Sequence, residues 1–263
     1  MIIYAIVMLI CFIASFFGAI CGIGGGVIIK PVLDSLGIMN AETISFLSGF
    51  TVLTMSVYSV NKAILAKDST VKLKTGIPVS IGAVIGGIAG KYIFDALNYG
   101  FSNTEYIGSI QALCLLVITF GTLIYTIKKH SIHTLHIKSI AVCIIVGVVL
   151  GFFSAFLGIG GGPFNLVILS FFFSMKSKEA AQNSLYIIML SQFASLCFAV
   201  FSGKLPVFNI YVLLGMSCMG ILGAIIGRKV NMKIESAVVD KLFIDINVVI
   251  IGICIYNILY KVI

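Results

Sequence analysis

Charged residues are scarce in this sequence. Only 10% of its 263 residues are Asp, Glu, Lys or Arg, whereas a soluble domain has about 25%. Hydrophobic residues make up 60% of the chain, and the mean hydropathy is +1.19. So few charges cannot shield so large an apolar core from water. These proportions exclude a secreted soluble protein, a nucleic-acid binder and a disordered regulator, and they predict an all-α integral membrane protein.

Several signatures of chemistry are also missing. The sequence has no phosphate-binding P-loop, so primary pumping would need a separate subunit. Its seven cysteines lie in apolar stretches without metal-ligand spacing. The carboxylates Glu42 and Glu179 stand at predicted helix starts, where the helix dipole stabilises them. We therefore predict no enzyme activity, no metal, no cofactor and no buried carboxylate relay for protons.

Long apolar runs recur along the whole chain. The N-terminal run lacks the basic residues and the cleavage site of a signal peptide, so we predict a retained helix. Two short apolar stretches, near residues 27–38 and 163–174, each follow a glycine cluster. Eight other runs have the roughly 20 residues that a membrane crossing needs. They lie near residues 2–21, 43–61, 76–94, 106–127, 138–157, 181–201, 207–227 and 242–260.

The sequence contains an internal repeat. Residues 16–33 and 152–169 are identical at nine of eighteen positions and share the motif GIGGG. Further on, GGIAGK at 86–91 matches GAIIGR at 223–228, and the glycine pairs of these motifs are expected to serve close helix packing. The order of matched features is the same in both halves, which indicates a duplication. The predicted halves are residues 1–130 and 131–263.

The basic residues favour one topology over another. If each GIGGG motif is the tip of a hairpin that enters and leaves on one side, loops 62–75, 128–138, 174–180 and 228–241 share a face with 13 of the 17 Lys and Arg residues. Eight plain crossings would split them 9 to 8. The positive-inside rule favours the hairpins. A hairpin plus three crossings changes sides, so the second half is inverted. The predicted fold is an inverted duplication in which each half is a glycine-tipped hairpin, one long helix plus a short half-helix, followed by three transmembrane helices.

The two glycine clusters, residues 22–26 and 158–162, are predicted to hold the substrate. Glycines adopt positive φ angles and let a ligand approach the backbone. The helix after each cluster points N–H groups and its positive dipole end at the cluster. Two such ends meeting near the membrane midplane would bind an anion, as broken helices do in secondary transporters. The alternative is that the glycines only permit close helix crossing. The predicted site glycines are Gly24, Gly25, Gly26, Gly160, Gly161 and Gly162.

Polar side chains near the clusters complete the predicted site. Lys30 lies in an apolar stretch, where an ionisable residue usually has a function, so we predict that it holds an anion. The alternative is that its ammonium snorkels to the membrane surface. Asn165 stands one position before the repeat counterpart of Lys30. Ser45, which aligns with Ser184 in the repeat, and the pair Asn183 and Ser184 would bind the anion or only link neighbouring helices.

The two motif regions resemble the TauE/SafE family of sulfite and organosulfonate transporters. The most specific parts are FFGAICGIGGGVIIKPVL, at residues 16–33, and FFSAFLGIGGGPFNLVILS, at residues 152–170. The resemblance covers essentially the whole chain. It implies a multi-pass secondary transporter of the bacterial plasma (inner) membrane that carries sulfur-containing anions such as sulfite or sulfonates. Lys30 departs from the family pattern, which places an apolar residue before the proline, and this departure bears on the substrate preference.

Two other functions stay open at this point. Cys21 abuts the first glycine cluster, so a membrane-embedded sulfur-relay or redox protein is one alternative. A non-transporting membrane scaffold is the other. The expected partners are the lipid bilayer and a small anionic substrate, with no nucleic acid, and a homodimer is an open alternative to a monomer.

Overall fold

The computed structural model describes residues 2–100, 104–203 and 205–262. These residues form ten α-helices and one short 3₁₀ helix, Lys129–Ser131, and they contain no strand. The helices of the first half are α1 (Ile2–Cys21), α2 (Gly26–Leu36), α3 (Ala41–Leu65), α4 (Leu73–Gly100) and α5 (Thr104–Lys128). Those of the second half are α6 (Ile140–Phe156), α7 (Pro163–Phe173), α8 (Ser177–Phe201), α9 (Ile210–Lys233) and α10 (Ser236–Val262).

Helix lengths follow the apolar runs with one difference. In the described part of the chain, seven helices are long and apolar enough to cross a membrane, namely α1, α3, α4, α5, α8, α9 and α10. All eight predicted long runs form helices, but the run near 138–157 forms α6, which has only 17 residues. The two short stretches form α2 and α7, with 11 residues each.

Glycines with positive φ angles end α1 and α6. Gly22 and Gly24 both have a φ of 70°, and Gly158 and Gly160 have values of 64° and 68°. A residue with a Cβ atom rarely adopts this conformation, so the glycines allow the chain to leave the helix. Pro163 is the first residue of α7, where its missing N–H costs nothing.

Other glycines set the closest helix contacts. α1 packs along α9, and α6 packs along α4. A Cβ atom at Gly223 would lie 2.4 Å from the backbone oxygen of Phe12, and one at Gly86 would lie 2.0 Å from that of Val148. No side chain fits at these distances, so the prediction that these glycines serve close helix packing is confirmed. α3 contacts α8 and α9, and α8 contacts α3 and α4, so α3 and α8 link the two pairs.

The outside of the helix bundle is apolar and part of its interior is polar. Leu9, Val117 and Ile145 are each more than half exposed, whereas Ser48 and Asn247 are completely buried. A soluble domain has the opposite distribution. This one suits a protein surrounded by lipid, in which polar side chains face the interior of the bundle.

Several connections between helices lie together on one face of the bundle. Lys72, just before α4, forms an ion pair with Glu179 at the start of α8, with Nζ and Oε1 2.6 Å apart. Arg228, near the end of α9, forms an ion pair with Asp68 in the connection from α3 to α4, at 2.5 Å. The start of α8 and the end of α9 are therefore on the same face as the connection from α3 to α4.

The connection after α5 belongs to the same face. The ammonium of Lys129 lies 2.5 Å from the hydroxyl oxygen of Ser177 and 3.1 Å from the carboxylate of Asp240. We call this side, where four connections meet, the basic face. A separate contact joins the connections that precede α3 and α9, because the hydroxyl of Thr43 donates to the backbone oxygen of Val207 at 3.2 Å. We call that side the opposite face.

Candidate functional site

The two glycine clusters contact each other inside the bundle. A Cβ atom at Gly26 would lie 1.9 Å from the backbone oxygen of Ile159, and one at Gly161 would lie 3.1 Å from that of Ile23. Both isoleucines are completely buried. A side chain at Gly26 would therefore push the two clusters apart.

Apolar side chains from α3 and α8 pack against both clusters. The side chain of Val52 on α3 lies 3.1 Å from the position that a Cβ atom of Gly24 would take, and 2.9 Å from the corresponding position at Gly160. Ile188 on α8 approaches the corresponding positions at Gly24 and Gly161 to 3.6 Å and 2.4 Å. These two side chains cover the contact between the clusters.

The remaining predicted glycines lie at the starts of the short helices. Gly25 precedes α2, and its N–H donates to the sulfur of Met55 at 3.4 Å. Gly162 precedes α7 and has an extended backbone with a φ of −152°. A Cβ atom there would lie 2.2 Å from the ring of Phe164, so close packing rather than backbone conformation requires this glycine.

Lys30 extends from α2 to the second glycine cluster. Its ammonium donates to the hydroxyl oxygen of Ser45 at 2.8 Å and to Oε1 of Gln111 at 2.6 Å. A Cβ atom at Gly158 would lie 3.1 Å from the same nitrogen. Lys30 is only 3% exposed, so its ammonium does not snorkel to the surface.

Gln111 on α5 fixes the position of this ammonium. Its Oε1 accepts from Lys30, and its Nε2 donates to the backbone oxygen of Phe156, the last residue of α6, at 2.6 Å. The side chain is 3% exposed. Gln111 is not among the residues predicted from the sequence, although an amide within the apolar run SIQALCLL was a signal, since polar residues inside a membrane segment are commonly functional.

A small pocket lies next to these groups. Ser45 and Gly158, which both lie close to the ammonium of Lys30, line it together with Lys91 and Gln192. Its volume is about 40 Å³, which is enough for a few water molecules or a small ion. We call it the first pocket. The arrangement provides a buried cation and a hydroxyl beside a small cavity, and this chemistry suits a small anion.

Comparison with known proteins identifies the family. The family described as "Sulfite exporter TauE/SafE" matches residues 7–255. The chain belongs to the TauE/SafE family. It is 26% identical to the "Probable membrane transporter protein YunE" of Bacillus subtilis (strain 168), over 88% of this chain and 90% of that protein. It is 25% identical to the "Probable membrane transporter protein MJ0441" of Methanocaldococcus jannaschii, over 90% of this chain and 88% of that protein. No solved structure gives a significant match.

The predicted family is thus confirmed, and the chain is a multi-pass membrane transporter. The match covers both glycine clusters and all the predicted site residues. The names of the two relatives state membrane transport and specify no substrate.

The predicted polar residues of this TauE/SafE protein fall in separate places. Asn165 and Ser184 are 1% and 0% exposed, and neither Asn165 Oδ1 nor the Ser184 hydroxyl has a hydrogen-bond partner among the described residues. Asn183 instead binds the connection from α3 to α4. Its Oδ1 accepts from the backbone N–H of Lys72 at 3.0 Å, and its Nδ2 donates to the backbone oxygen of Thr70 at 3.2 Å. The structure therefore does not bring Asn183 together with Lys30.

The predicted alignment of Ser45 with Ser184 is wrong by about one helical turn. A Cβ atom at Gly158 would lie 2.4 Å from the hydroxyl oxygen of Ser45, and one at Gly22 would lie 2.2 Å from the Cα atom of Ala181. Gly158 follows Gly22 by the same number of residues as Ala181 follows Ser45. We call this number of residues the repeat spacing. The weak similarity between AETISFL and AAQNSLY favoured an alignment shifted by nearly one turn from this spacing.

A buried carboxylate was also not predicted from the sequence. Asp95 on α4 is 2% exposed, and its Oδ1 lies 2.8 Å from the ammonium of Lys91, one turn earlier. The motif KYIFD has the spacing of such a pair. The sulfur-relay alternative concerns Cys21, which is a completely buried free thiol.

Proposed function

We propose that this protein is a secondary transporter that carries small sulfur-containing anions, such as sulfite and organosulfonates, across the bacterial plasma membrane. The substrate binds where the two glycine clusters meet, beside Lys30. One observation carries the proposal. The buried ammonium of Lys30 donates to Ser45 and Gln111, and it lies next to Gly158 of the second cluster. A membrane segment rarely contains a buried cation without a functional reason.

The contacts on the basic face support an inverted duplication with two hairpins. If α1 and α2 together crossed the membrane once, and α6 and α7 likewise, the connections after α3 and α7 would be on different sides. The ion pair between Lys72 and Glu179 joins these two connections. If instead α1 with α2 and α6 with α7 each return to the side that they entered from, the two connections share a side. The second half is then inverted relative to the first, with the two glycine clusters approaching from opposite sides.

The surroundings of the two clusters support an anion as the substrate. α2 and α7 both start next to the contact between the clusters, so the positive ends of two helix dipoles lie there. Lys30 adds a full positive charge on the side of Gly158. An anion in this position would exchange its hydration shell for N–H donors and an ammonium, which bind charge more strongly in a dry interior than in water.

The size of the pocket and the family support the substrate class. The first pocket, of about 40 Å³, is lined by Ser45, which accepts from Lys30, and its size suits a compact anion rather than a large solute. The family's description names sulfite export. Sulfite and sulfonates present three oxygen acceptors on one sulfur, which matches a site made of several donors.

Thermal stability of the purified protein in detergent tests this proposal. The melting temperature is measured with sulfite, sulfate, thiosulfate, sulfoacetate, taurine, chloride or acetate at matched ionic strength. A ligand that binds only the folded state raises the melting temperature, and the free energy gained is about 2.7 kcal/mol at 100 times the dissociation constant. The variant Lys30→Met keeps the apolar stem and removes the charge. Lys229→Met, at an exposed position, is the matched control.

We expect one sulfur oxyanion or sulfonate to raise the melting temperature of the wild type and of Lys229→Met, but not of Lys30→Met. Equal shifts in all three proteins would contradict the role of Lys30. No shift with any of these anions would contradict the substrate class.

A further inference from the structure

A second pocket lies beside the first glycine cluster, in a position that corresponds to the first pocket. Its volume is about 20 Å³, and its lining includes Ala19 and Ala181. Ala181 packs directly on Gly22, as Ser45 packs on Gly158 in the first pocket. The repeat spacing relates Ala19 to Ala155, which lines the first pocket. Each glycine cluster thus has a pocket of this kind next to it.

The correspondence continues through the helices that line the pockets. Ser59 and Ala63 line the second pocket, and their counterparts at the repeat spacing, Ser195 and Ala199, line the first. The two linings therefore come from matched positions on α3 and α8. Unrelated surface cavities would not be lined by residues at matched repeat positions.

The pockets lie towards opposite faces of the bundle. Phe46 lines the first pocket and packs on Phe208 in the connection before α9, with ring centroids 5.0 Å apart. Gln182 lines the second pocket and accepts from the backbone N–H of Thr70 on the basic face at 2.8 Å. Phe46 and Gln182 are themselves related by the repeat spacing. One pocket therefore lies towards each face of the bundle.

Each pocket contains one basic side chain, and the two occupy nearly matched positions. Lys91 lines the first pocket and Arg228 the second, and Arg228 stands one position beyond the counterpart of Lys91 at the repeat spacing. Their side chains are only 14% and 11% exposed. Both are paired with a carboxylate, Lys91 with Asp95 at 2.8 Å and Arg228 with Asp68 at 2.5 Å.

We propose that Lys91 and Arg228 bind the substrate anion in two equivalent entrance pockets, one on each side of the glycine clusters. This inference rests on the proposed function, since it assigns the routes by which the anion enters and leaves the same substrate site. Lys91 serves the side of the opposite face, and Arg228 serves the basic face. The bound species is the transported anion, for which sulfite is the probe.

The ion pairs bear on how Lys91 and Arg228 can bind an anion and release it again. A cation that loses its only counter-charge in a protein interior is strongly destabilised. When an arriving anion replaces Asp68 at Arg228, the cation keeps an anionic partner, and Asp68, with 28% of its side chain exposed, stays in contact with water. At Lys91 the anion binds beside Asp95 without replacing it, because a carboxylate that is only 2% exposed would be destabilised by the loss of its cation. The Arg228–Asp68 pair also ties α9 to the connection after α3, so the exchange at Arg228 would release that connection from α9. Lys91 and Asp95 lie on one helix, so anion binding at Lys91 releases no connection.

Uptake of radiolabelled sulfite into right-side-out and inside-out membrane vesicles tests the inference. The variants are Lys91→Met and Arg228→Met, with Lys91→Arg and Arg228→Lys as charge-conserving partners. Lys229→Met is the control, because it removes an exposed basic residue next to Arg228. Vesicles without the protein give the background rate. The quantity compared is the KM for sulfite in each vesicle orientation, at equal amounts of folded protein.

We expect Lys91→Met to raise the KM about tenfold in one orientation and Arg228→Met to do so in the other, because removal of one hydrogen bond between charged groups weakens binding by about this factor. The charge-conserving variants should restore most of the affinity, and Lys229→Met should match the wild type. Equal effects in both orientations, or no effect relative to Lys229→Met while the wild type transports sulfite, would overturn the inference and leave the proposed function standing. Absence of uptake by the wild type of sulfite and of every other sulfur-containing anion in the stability panel would overturn both.

Discussion

The ammonium of Lys30 lies 2.6 Å from Oε1 of Gln111, and the same amide holds the last backbone oxygen of α6. A residue of the first half is thus fixed beside the second glycine cluster by one side chain of α5. The positive charge is positioned by a hydrogen-bonded side chain rather than by the flexible lysine stem alone. Positioning of this kind is what a selective anion site requires.

Two replacements of Gln111 test separately the position of the Lys30 ammonium and its positive charge. Gln111→Leu leaves the backbone oxygen of Phe156 without this donor, and a buried group left unsatisfied costs about 1–3 kcal/mol. We expect a lower melting temperature and a loss of stabilisation by sulfite. Gln111→Glu also loses the donor to Phe156, but it keeps an acceptor for Lys30 and adds a negative charge beside it. We expect this variant to fold and to bind no anion, as measured by the sulfite-dependent melting temperature. Wild-type anion binding by Gln111→Glu would show that the charge of Lys30 does not attract the substrate.

A methyl group at Gly26 should disrupt the contact between the glycine clusters. Its Cβ atom would lie 1.9 Å from the backbone oxygen of Ile159, a distance that forces the clusters apart. We expect Gly26→Ala to abolish sulfite transport in proteoliposomes. Gly121→Ala is the matched control, because nothing lies within 4 Å of the added methyl group and Ala favours a helix. Transport by Gly26→Ala at the rate of Gly121→Ala would refute the close contact of the two clusters.

The shared basic face can be tested through one ion pair. Lys72 and Glu179 are partly exposed, with 51% and 21% of their side-chain surfaces accessible, so their coupling should be only about 0.2–1 kcal/mol. We expect Glu179→Lys to lower the thermal stability and the double variant Lys72→Glu with Glu179→Lys to restore it. Additive effects of the two substitutions would indicate that the connections after α3 and α7 are not neighbours.

Local chemistry made several elements predictable from the sequence. Gly22 and Gly158 end their helices because their φ angles are positive, and Pro163 begins α7 because a proline fits the first helical position. Those features depend on a few adjacent residues. The helices themselves follow from runs of apolar residues that are long enough to cross a bilayer.

The rest of the site depends on contacts between distant parts of the chain. Gln111 meets Lys30 across 81 residues, and no local pattern distinguishes this glutamine from one that only links helices. Asn183 and Ser184 are adjacent in sequence, yet Asn183 points to the connection after α3 while the hydroxyl of Ser184 is buried without a partner among the described residues. A difference of one position along a helix turns a side chain by about 100°, which decides whether it faces a site or a loop.

Transport of radiolabelled sulfite by purified protein in proteoliposomes tests the central claim most directly. The claim is that an anion binds beside Lys30, where the two glycine clusters meet. Wild type, Lys30→Met and Lys229→Met are compared at equal amounts of folded protein, with unlabelled sulfite as competitor. The account predicts competed transport by the wild type and by Lys229→Met, and transport at the background rate by Lys30→Met. Transport by Lys30→Met at the wild-type rate and KM would contradict it.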